Sequence, residues 1–111
     1  YRSQYEEQYP EKQQLPPPFE LTASYPKAGT SQTVPITLNW KNKAGDSFNI
    51  YRQVDDSFFV KITTTKEKTH TEEISKSGTY NYYVTAISDD AQFEESTPSN
   101  VANILIFIPG T

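Results

Sequence analysis

From Phe19 onward the sequence divides into seven short runs, most of which alternate apolar and polar residues, separated by residues typical of turns. Successive side chains of a β-strand point to opposite faces, so each run can bury one face and leave the other in water. No window of about 11 residues or more in this region shows a helical period. The runs are FELTAS (19–24), VPITLNW (34–40), SFNIYRQ (47–53), FFVKITT (58–64), THTEEIS (69–75), TYNYYVTAIS (79–88) and NVANILIFI (100–108). Short strands at this spacing predict an all-β sandwich or barrel.

The run at 79–88 shows the two faces of a predicted strand most clearly. Tyr80 and Tyr82 fall on one side and Tyr83 on the other, so we expect the first two in the core and Tyr83 facing outward. Hydrophobic residues make up only 34% of the chain but aromatic residues reach 14%, so a few large side chains have to build the core. The predicted core consists of Leu21, Ile36, Leu38, Trp40, Phe48, Ile50, Tyr80, Tyr82, Val84 and Ala86.

The size and charge of the chain restrict its classes of partner. A chain of 111 residues is the size of one domain, and because it contains no methionine we expect it to be part of a longer protein. The absence of cysteine excludes disulfides and thiol chemistry. A net charge of −4 with scattered basic residues argues against nucleic acid as a partner. The apolar run NILIFI is too short to cross a bilayer, so we expect no membrane insertion.

Residues 1–18 differ in composition from the rest. They are polar, rich in Gln and Glu, and end in three prolines, which favour an extended segment. We predict a linker or tail of a preceding domain at 1–18 and the folded domain at 19–111, with a proline-rich peptide ligand or a short helix over QYEEQY as alternatives for the first segment. Residues 1–15 have too little apolar content to offset the entropy of ordering them, so we expect them to be dispensable for the fold.

Taken together, residues 18–108 resemble a fibronectin type III domain. The segments that carry the resemblance are Pro18 with FELTAS for the first strand, ITLNW with Trp40 for the second, FNIYR for the third with Phe48 in the place of the usual tyrosine, SGTYNYYVTAIS for the sixth, and STPSNVANI for the start of the seventh. The resemblance implies a seven-stranded immunoglobulin-like sandwich. It also implies that Tyr80 forms a tyrosine corner, with its hydroxyl hydrogen-bonded to nearby backbone.

The departures from the family are informative. The fifth run offers His70 and Ile74 with two glutamates, so the edges of that strand are poorly defined. No RGD sequence occurs, which leaves an integrin-binding function without support. An antibody-type domain is disfavoured because no cysteine pair is present. The motifs are similar to those of bacterial extracellular members of the family, which implies an extracellular or cell-surface location.

Few residues suit catalysis or metal binding. His70 is the only histidine, and no serine lies in a glycine-flanked nucleophile turn. We therefore predict no catalytic residue, no cofactor and no enzymatic activity in this domain, although the longer protein could be an enzyme. Acidic pairs at 55–56, 89–90 and 94–95 lack the spacing of a calcium-binding loop, and we interpret them as solvated turns rather than a metal site.

Exposed aromatic residues are the remaining candidates for binding. We single out Tyr51, Tyr83 and Phe93, and expect one of Phe58 and Phe59 to face the core and the other to face water. Two functions fit these residues. One is a non-catalytic spacer or docking module that contacts neighbouring domains of the same chain or another protein. The other is a carbohydrate- or receptor-binding module, for which polysaccharide is a candidate ligand and which alignment of Tyr51, Tyr83 and Phe93 on one surface would favour.

Overall fold

A computed structural model of the chain describes residues 13–26 and 33–109. These residues form nine strands and no helix, so none of them could span a membrane as a helix. The strands are β1 (Gln13–Gln14), β2 (Phe19–Ser24), β3 (Val34–Lys41), β4 (Ser47–Val54), β5 (Val60–Thr65), β6 (Thr69–Ile74), β7 (Gly78–Ile87), β8 (Phe93–Glu94) and β9 (Ala102–Ile106).

The strands form a β-sandwich, which confirms the predicted fold. One sheet has the order β2-β3-β6 and the other β5-β4-β7-β9, and every pairing within them is antiparallel. The seven predicted runs correspond to β2–β7 and β9. The largest differences in their bounds are at β5, which begins two residues later than the run at 58–64, and at β9, which is shorter at both ends than the run at 100–108.

The core lies between the two sheets. All ten residues expected there are buried, and Tyr82, Ile36, Leu38 and Ile50 have essentially no exposed surface. Trp40 packs against Phe48 edge to face, with ring centroids 5.6 Å apart and an interplanar angle of 70°, a favourable geometry for aromatic pairs. Ile74 of the poorly defined fifth run is also buried.

A polar contact joins the two sheets inside the sandwich. Glu72 of β6 is largely buried and accepts hydrogen bonds from Nη1 of Arg52 in β4 (2.6 Å) and from the hydroxyl of Tyr82 in β7. Burial, together with the hydrogen bond to Glu72, raises the pKa of Tyr82 above its ordinary value, so its hydroxyl remains a donor. A glutamate in the fifth run is therefore compatible with an inward position because two donors satisfy it.

The STPSN segment holds the edge of the sandwich with side chains rather than with a regular strand. The hydroxyls of Ser96 and Ser99 accept hydrogen bonds from the backbone N–H groups of Ala86 (2.8 Å) and Val84 (2.9 Å). The side-chain amide of Asn100 bonds both the N–H and the C=O of Leu21, at 2.9 and 3.0 Å. These residues, which carry part of the family resemblance, have a structural role.

The last residues of the predicted linker pack on the sandwich. Gln13 and Gln14 pair in parallel with Phe93 and Glu94, and Leu15 is only 5% exposed and belongs to the core. The expectation that residues 1–15 are dispensable is therefore wrong for Leu15, because a single apolar residue next to the prolines reaches the core. Residues 1–12, including the alternative helix over QYEEQY, lie outside the described residues, and the rest of the linker interpretation stays a prediction.

Tyr80 makes the hydrogen bond expected of a tyrosine corner, because its hydroxyl donates to the carbonyl of Lys76 at 2.7 Å. Tyr80→Phe removes this bond and leaves the ring in place, so we expect a loss of about 1 kcal/mol in the free energy of unfolding. Chemical denaturation measures the loss. Tyr25→Phe, which alters an exposed tyrosine, is the control and should be neutral. Wild-type stability of the Tyr80 variant would contradict the structural role of its hydroxyl.

Candidate functional site on the outer face of the four-stranded sheet

The four-stranded sheet has an outer face formed by the residues that alternate with the core positions. In β7 the inward residues are Tyr80, Tyr82, Val84 and Ala86, so Tyr83 lies on the opposite face. Tyr83 is directly opposite Tyr51 of β4, and Tyr51 is opposite Lys61 of β5. We call this surface the outer face.

Three aromatic rings contact one another on the outer face. The rings of Tyr51 and Tyr83 are stacked, with centroids 4.7 Å apart and planes inclined by 21°. Phe59, in the turn before β5, lies at the same centroid distance from Tyr83 with an inclination of 47°. Cross-strand aromatic pairs of this kind stabilise a sheet and fix the ring positions. We refer to Tyr51, Phe59 and Tyr83 as the aromatic cluster.

Glu95 brings a carboxylate to the same face. One of its oxygens accepts hydrogen bonds from Nδ2 of Asn49 (3.1 Å), from the hydroxyl of Tyr51 (2.7 Å) and from the hydroxyl of Thr85. The side-chain oxygen of Asn49 accepts a further bond from Thr64 in β5 at 2.6 Å. The network therefore connects the segment after β8 to three strands and fixes the tip of the Tyr51 side chain.

The network shifts two pKa values. Partial burial acts to raise the pKa of Glu95, but its three hydrogen-bond donors and the charge of Lys61 outweigh burial and leave the pKa below its ordinary value. Partial burial and the hydrogen bond to Glu95 raise the pKa of Tyr51 to about 12. Glu95 is therefore an ionised acceptor at neutral pH and Tyr51 a protonated donor.

The structure brings together two of the three predicted binding residues. Tyr51 and Tyr83 are in direct contact, whereas no ring contact joins Phe93 to them in the described part of the chain. Phe93 is half-buried and packs against the core. Phe59 also differs from expectation, because the doubled phenylalanine places neither ring in the core: Phe59 joins the aromatic cluster and Phe58 is 91% exposed.

The last strand carries a second group of exposed apolar side chains. Val101, Leu105 and Phe107 are 53%, 67% and 74% exposed, while the alternating Ala102, Ile104 and Ile106 are buried. The sequence pattern does not single out these residues, because both faces of NILIFI are largely apolar and the alternation alone does not show which face is inward. Only the position of Ile104 opposite Tyr80 of β7 decides it.

The acidic turns use their carboxylates in local hydrogen bonds. An oxygen of Asp55 accepts the N–H of Thr79 at 2.9 Å, and an oxygen of Asp90 accepts the N–H of Gln92 at 2.9 Å. Such side chain to backbone bonds are typical of aspartate in turns. Within 13–26 and 33–109, no three histidine or acidic side chains converge in a way that could hold a metal ion.

The two-sheet topology and the Tyr80 corner define a fibronectin type III-like domain. The chain belongs to the family described as PBP1-like, fibronectin3-like domain, whose model matches residues 20–99. No curated protein sequence gives a significant match.

Solved structures of low sequence identity share the fold. FN3tt is similar with a TM-score of 0.65 and 17% identity, covering 82% of this chain and 92% of that chain. An Fn3-like protein from Clostridium thermocellum has a TM-score of 0.62 and 23% identity, with 80% and 90% covered. The structure of the Endo-D glycoside hydrolase domain from Streptococcus pneumoniae R6 has a TM-score of 0.61 and 14% identity, covering 87% of this chain but 15% of that chain.

Glu95→Gln tests the outer-face network, because it removes the charge and keeps the size of the side chain. The folded pKa of Glu95 is lowered, so the ionised group stabilises the fold above the unfolded pKa, and this contribution is lost as pH falls through the folded pKa. We expect the variant to be less stable than wild type at neutral pH, with the difference disappearing at acid pH. Urea unfolding at a series of pH values measures this difference.

Glu73→Gln is the matched control for this experiment, because Glu73 is an exposed glutamate on the three-stranded sheet. It should show no comparable difference from wild type as the pH changes. Equal stability of wild type and the Glu95 variant at neutral pH would show that the network does not stabilise the fold.

Proposed function

We propose that this domain is a non-catalytic docking and spacing module of a larger extracellular or cell-surface protein. In this proposal it contacts a neighbouring domain, or another protein, through the outer face of its four-stranded sheet. Fibronectin type III-like domains are generally non-catalytic modules of larger proteins, and this chain belongs to such a family. The observation that carries the proposal is the aromatic cluster, which is held in place on a surface rather than in the core.

Rigid aromatic side chains are well suited to protein contact. They present a large amphipathic area and lose little conformational entropy on binding. Here the entropy loss is reduced further, because Tyr51 is already fixed by Glu95 and Tyr83 by stacking. Phe58 and Val60, which flank Phe59 in the chain, are 91% and 60% exposed and add apolar surface at this end of the sheet.

Two carboxylates, that of Glu95 beside the cluster and that of Glu72 inside the sandwich, favour docking over catalysis. The carboxylate of Glu95 is held by three donors and that of Glu72 by Arg52 and Tyr82, so both are committed to the architecture of the sandwich. A general acid or base has to reach a substrate and exchange a proton. The lowered pKa of Glu95 favours a permanent acceptor instead.

The arrangement of the rings favours protein over carbohydrate. A sugar-binding platform needs aromatic rings that lie side by side with their faces free. Tyr51 and Tyr83 instead stack on each other, so each covers part of the other ring, and Phe93 packs elsewhere. We therefore expect no polysaccharide binding on this face, and the experiment below includes a test for it.

The test compares the amide spectrum of the chain alone, within the complete natural protein, and in the presence of cell-wall polysaccharide. We expect the complete protein to shift amides around Tyr51, Phe59 and Tyr83, and polysaccharide to shift none. Tyr83→Ala should weaken the shifts seen in the complete protein. Tyr25→Ala removes an exposed aromatic outside the aromatic cluster and should preserve them.

Two results would overturn this proposal. One is saturable polysaccharide binding that Tyr83→Ala abolishes, which would establish a carbohydrate-binding module. The other is a complete protein in which the outer face keeps the amide shifts of the isolated chain. Thermal unfolding of both alanine variants verifies that they are folded, so that a loss of shifts reports on contact.

A further inference from the structure

The strand β9 forms one edge of the four-stranded sheet, with β7 as its only hydrogen-bonded strand in the described part of the chain, and β2 of the other sheet also contacts it. The hydroxyl of Ser77 bonds both the N–H (2.7 Å) and the C=O (3.1 Å) of Ile108, so the backbone of Ile108 faces the β7 side. Backbone groups of successive strand residues point to opposite edges. Ala102, Ile104 and Ile106 therefore bond toward β7.

By the same alternation, Asn103 and Leu105 direct their N–H and C=O groups away from β7, to the free edge of the sheet. The orientation of β7 agrees, because the N–H groups of Val84 and Ala86 point to the side of the sheet on which β9 lies. The free edge consequently offers a ladder of donors and acceptors that an added strand could pair with.

The other three sheet edges carry features that discourage such pairing. The edge strand β5 contains Lys61, and β6 contains the exposed Glu73. The edge strand β2 has an irregular register with Glu20 at a φ of 53°, and Glu20 forms an ion pair with Lys41 at 2.8 Å. Charges and bulges at edges are the usual protection against added strands.

The β9 edge carries no such charge or register irregularity. The segment from 96 to 109 contains no charged residue, and its prolines lie outside the strand, at positions 98 and 109. Along and beside the strand, the apolar Val101, Leu105 and Phe107 and the polar Asn103 are exposed. An uncharged, regular and largely apolar edge is the kind of edge that a second strand covers.

We propose that a second copy of this chain covers this edge, with β9 of the two copies paired antiparallel about Asn103. In this register Asn103 lies opposite Asn103 of the partner subunit, and Val101 lies opposite Leu105 of the partner subunit. The sequence of outward residues, Val101-Asn103-Leu105, has the same chemical order in both directions, so the strand complements itself about a two-fold axis.

This register pairs the backbone donors and acceptors of the two strands and places compatible side chains opposite each other. The three facing pairs exchange about six backbone hydrogen bonds, and two of the pairs place apolar side chains opposite each other. A register centred on Leu105 would instead place Val101 opposite Pro109, which has no N–H to donate. Although each chain has a net charge of −4, residues 96–109, which include the shared edge, carry no charged side chain.

The test is the oligomeric state of the whole chain over a concentration series, measured by sedimentation. We expect wild type to pass from monomer to dimer as concentration rises. Leu105→Lys places a charge opposite Val101 of the partner subunit and should remain monomeric over that range, with an unchanged melting temperature because Leu105 is 67% exposed. Tyr25→Lys introduces the same charge at an exposed residue outside both proposed surfaces and should dimerise like wild type.

The register of the two strands can be tested separately with introduced cysteines, because the chain contains no cysteine of its own. Asn103→Cys should form an intermolecular disulfide on mild oxidation, since the two residues face each other across the axis. Lys61→Cys on the opposite edge should not. A wild-type chain that remains monomeric at every concentration, or a Tyr25→Lys variant that loses association as fully as Leu105→Lys, would overturn the proposal. Neither result bears on docking through the aromatic cluster, which is tested by Tyr83→Ala.

Discussion

The sandwich depends on the burial of the inward face of β7. Tyr82 fills the centre of the core and also spans the two sheets, since its hydroxyl reaches Glu72 of the three-stranded sheet. A buried tyrosine contributes a large apolar area but requires a partner for its hydroxyl. The partners of Tyr82 and Tyr80, at Glu72 and the Lys76 carbonyl, therefore fix the position of β7 relative to the rest of the fold. The outward residues of β7 are rigid as a consequence.

Alternation in the sequence was sufficient to predict the inward face but not its polar contacts. Trp40 and Tyr80 lie in runs whose pattern and family resemblance both place them inside, and they are buried. Glu72 could not be predicted as inward, because a charge in an alternating run indicates a solvated position unless its partners are known. Those partners, Arg52 and Tyr82, come from other strands of the opposite sheet. Leu15 was missed for a similar reason, since nothing local shows that the chain before the prolines returns to the core.

Strand alternation predicts only part of the candidate site. It places the side chains of Tyr51 and Tyr83 on the outward face, but the contact between them depends on the register of β4 and β7. Phe59 and Glu95 come from irregular segments, for which periodicity carries no information, and only the tertiary structure brings them to the outer face.

If β9 pairs with a second copy, the two-fold axis is perpendicular to the joined sheet. Both outer faces then lie on the same side, so the two surfaces proposed here are compatible.

In β7 the inward Tyr82 stabilises the fold, whereas the outward Tyr83 lies on the surface that we propose for docking. The unfolding free energies of Tyr82→Ala and Tyr83→Ala, measured side by side, test this division of roles most directly. We expect a loss of about 3–5 kcal/mol for Tyr82, which leaves a cavity in the core, and of about 1 kcal/mol for Tyr83, which loses only cross-strand contacts. A loss for Tyr83 as large as that for Tyr82 would contradict this division of roles, because the aromatic cluster would then be part of the packing that holds the fold together.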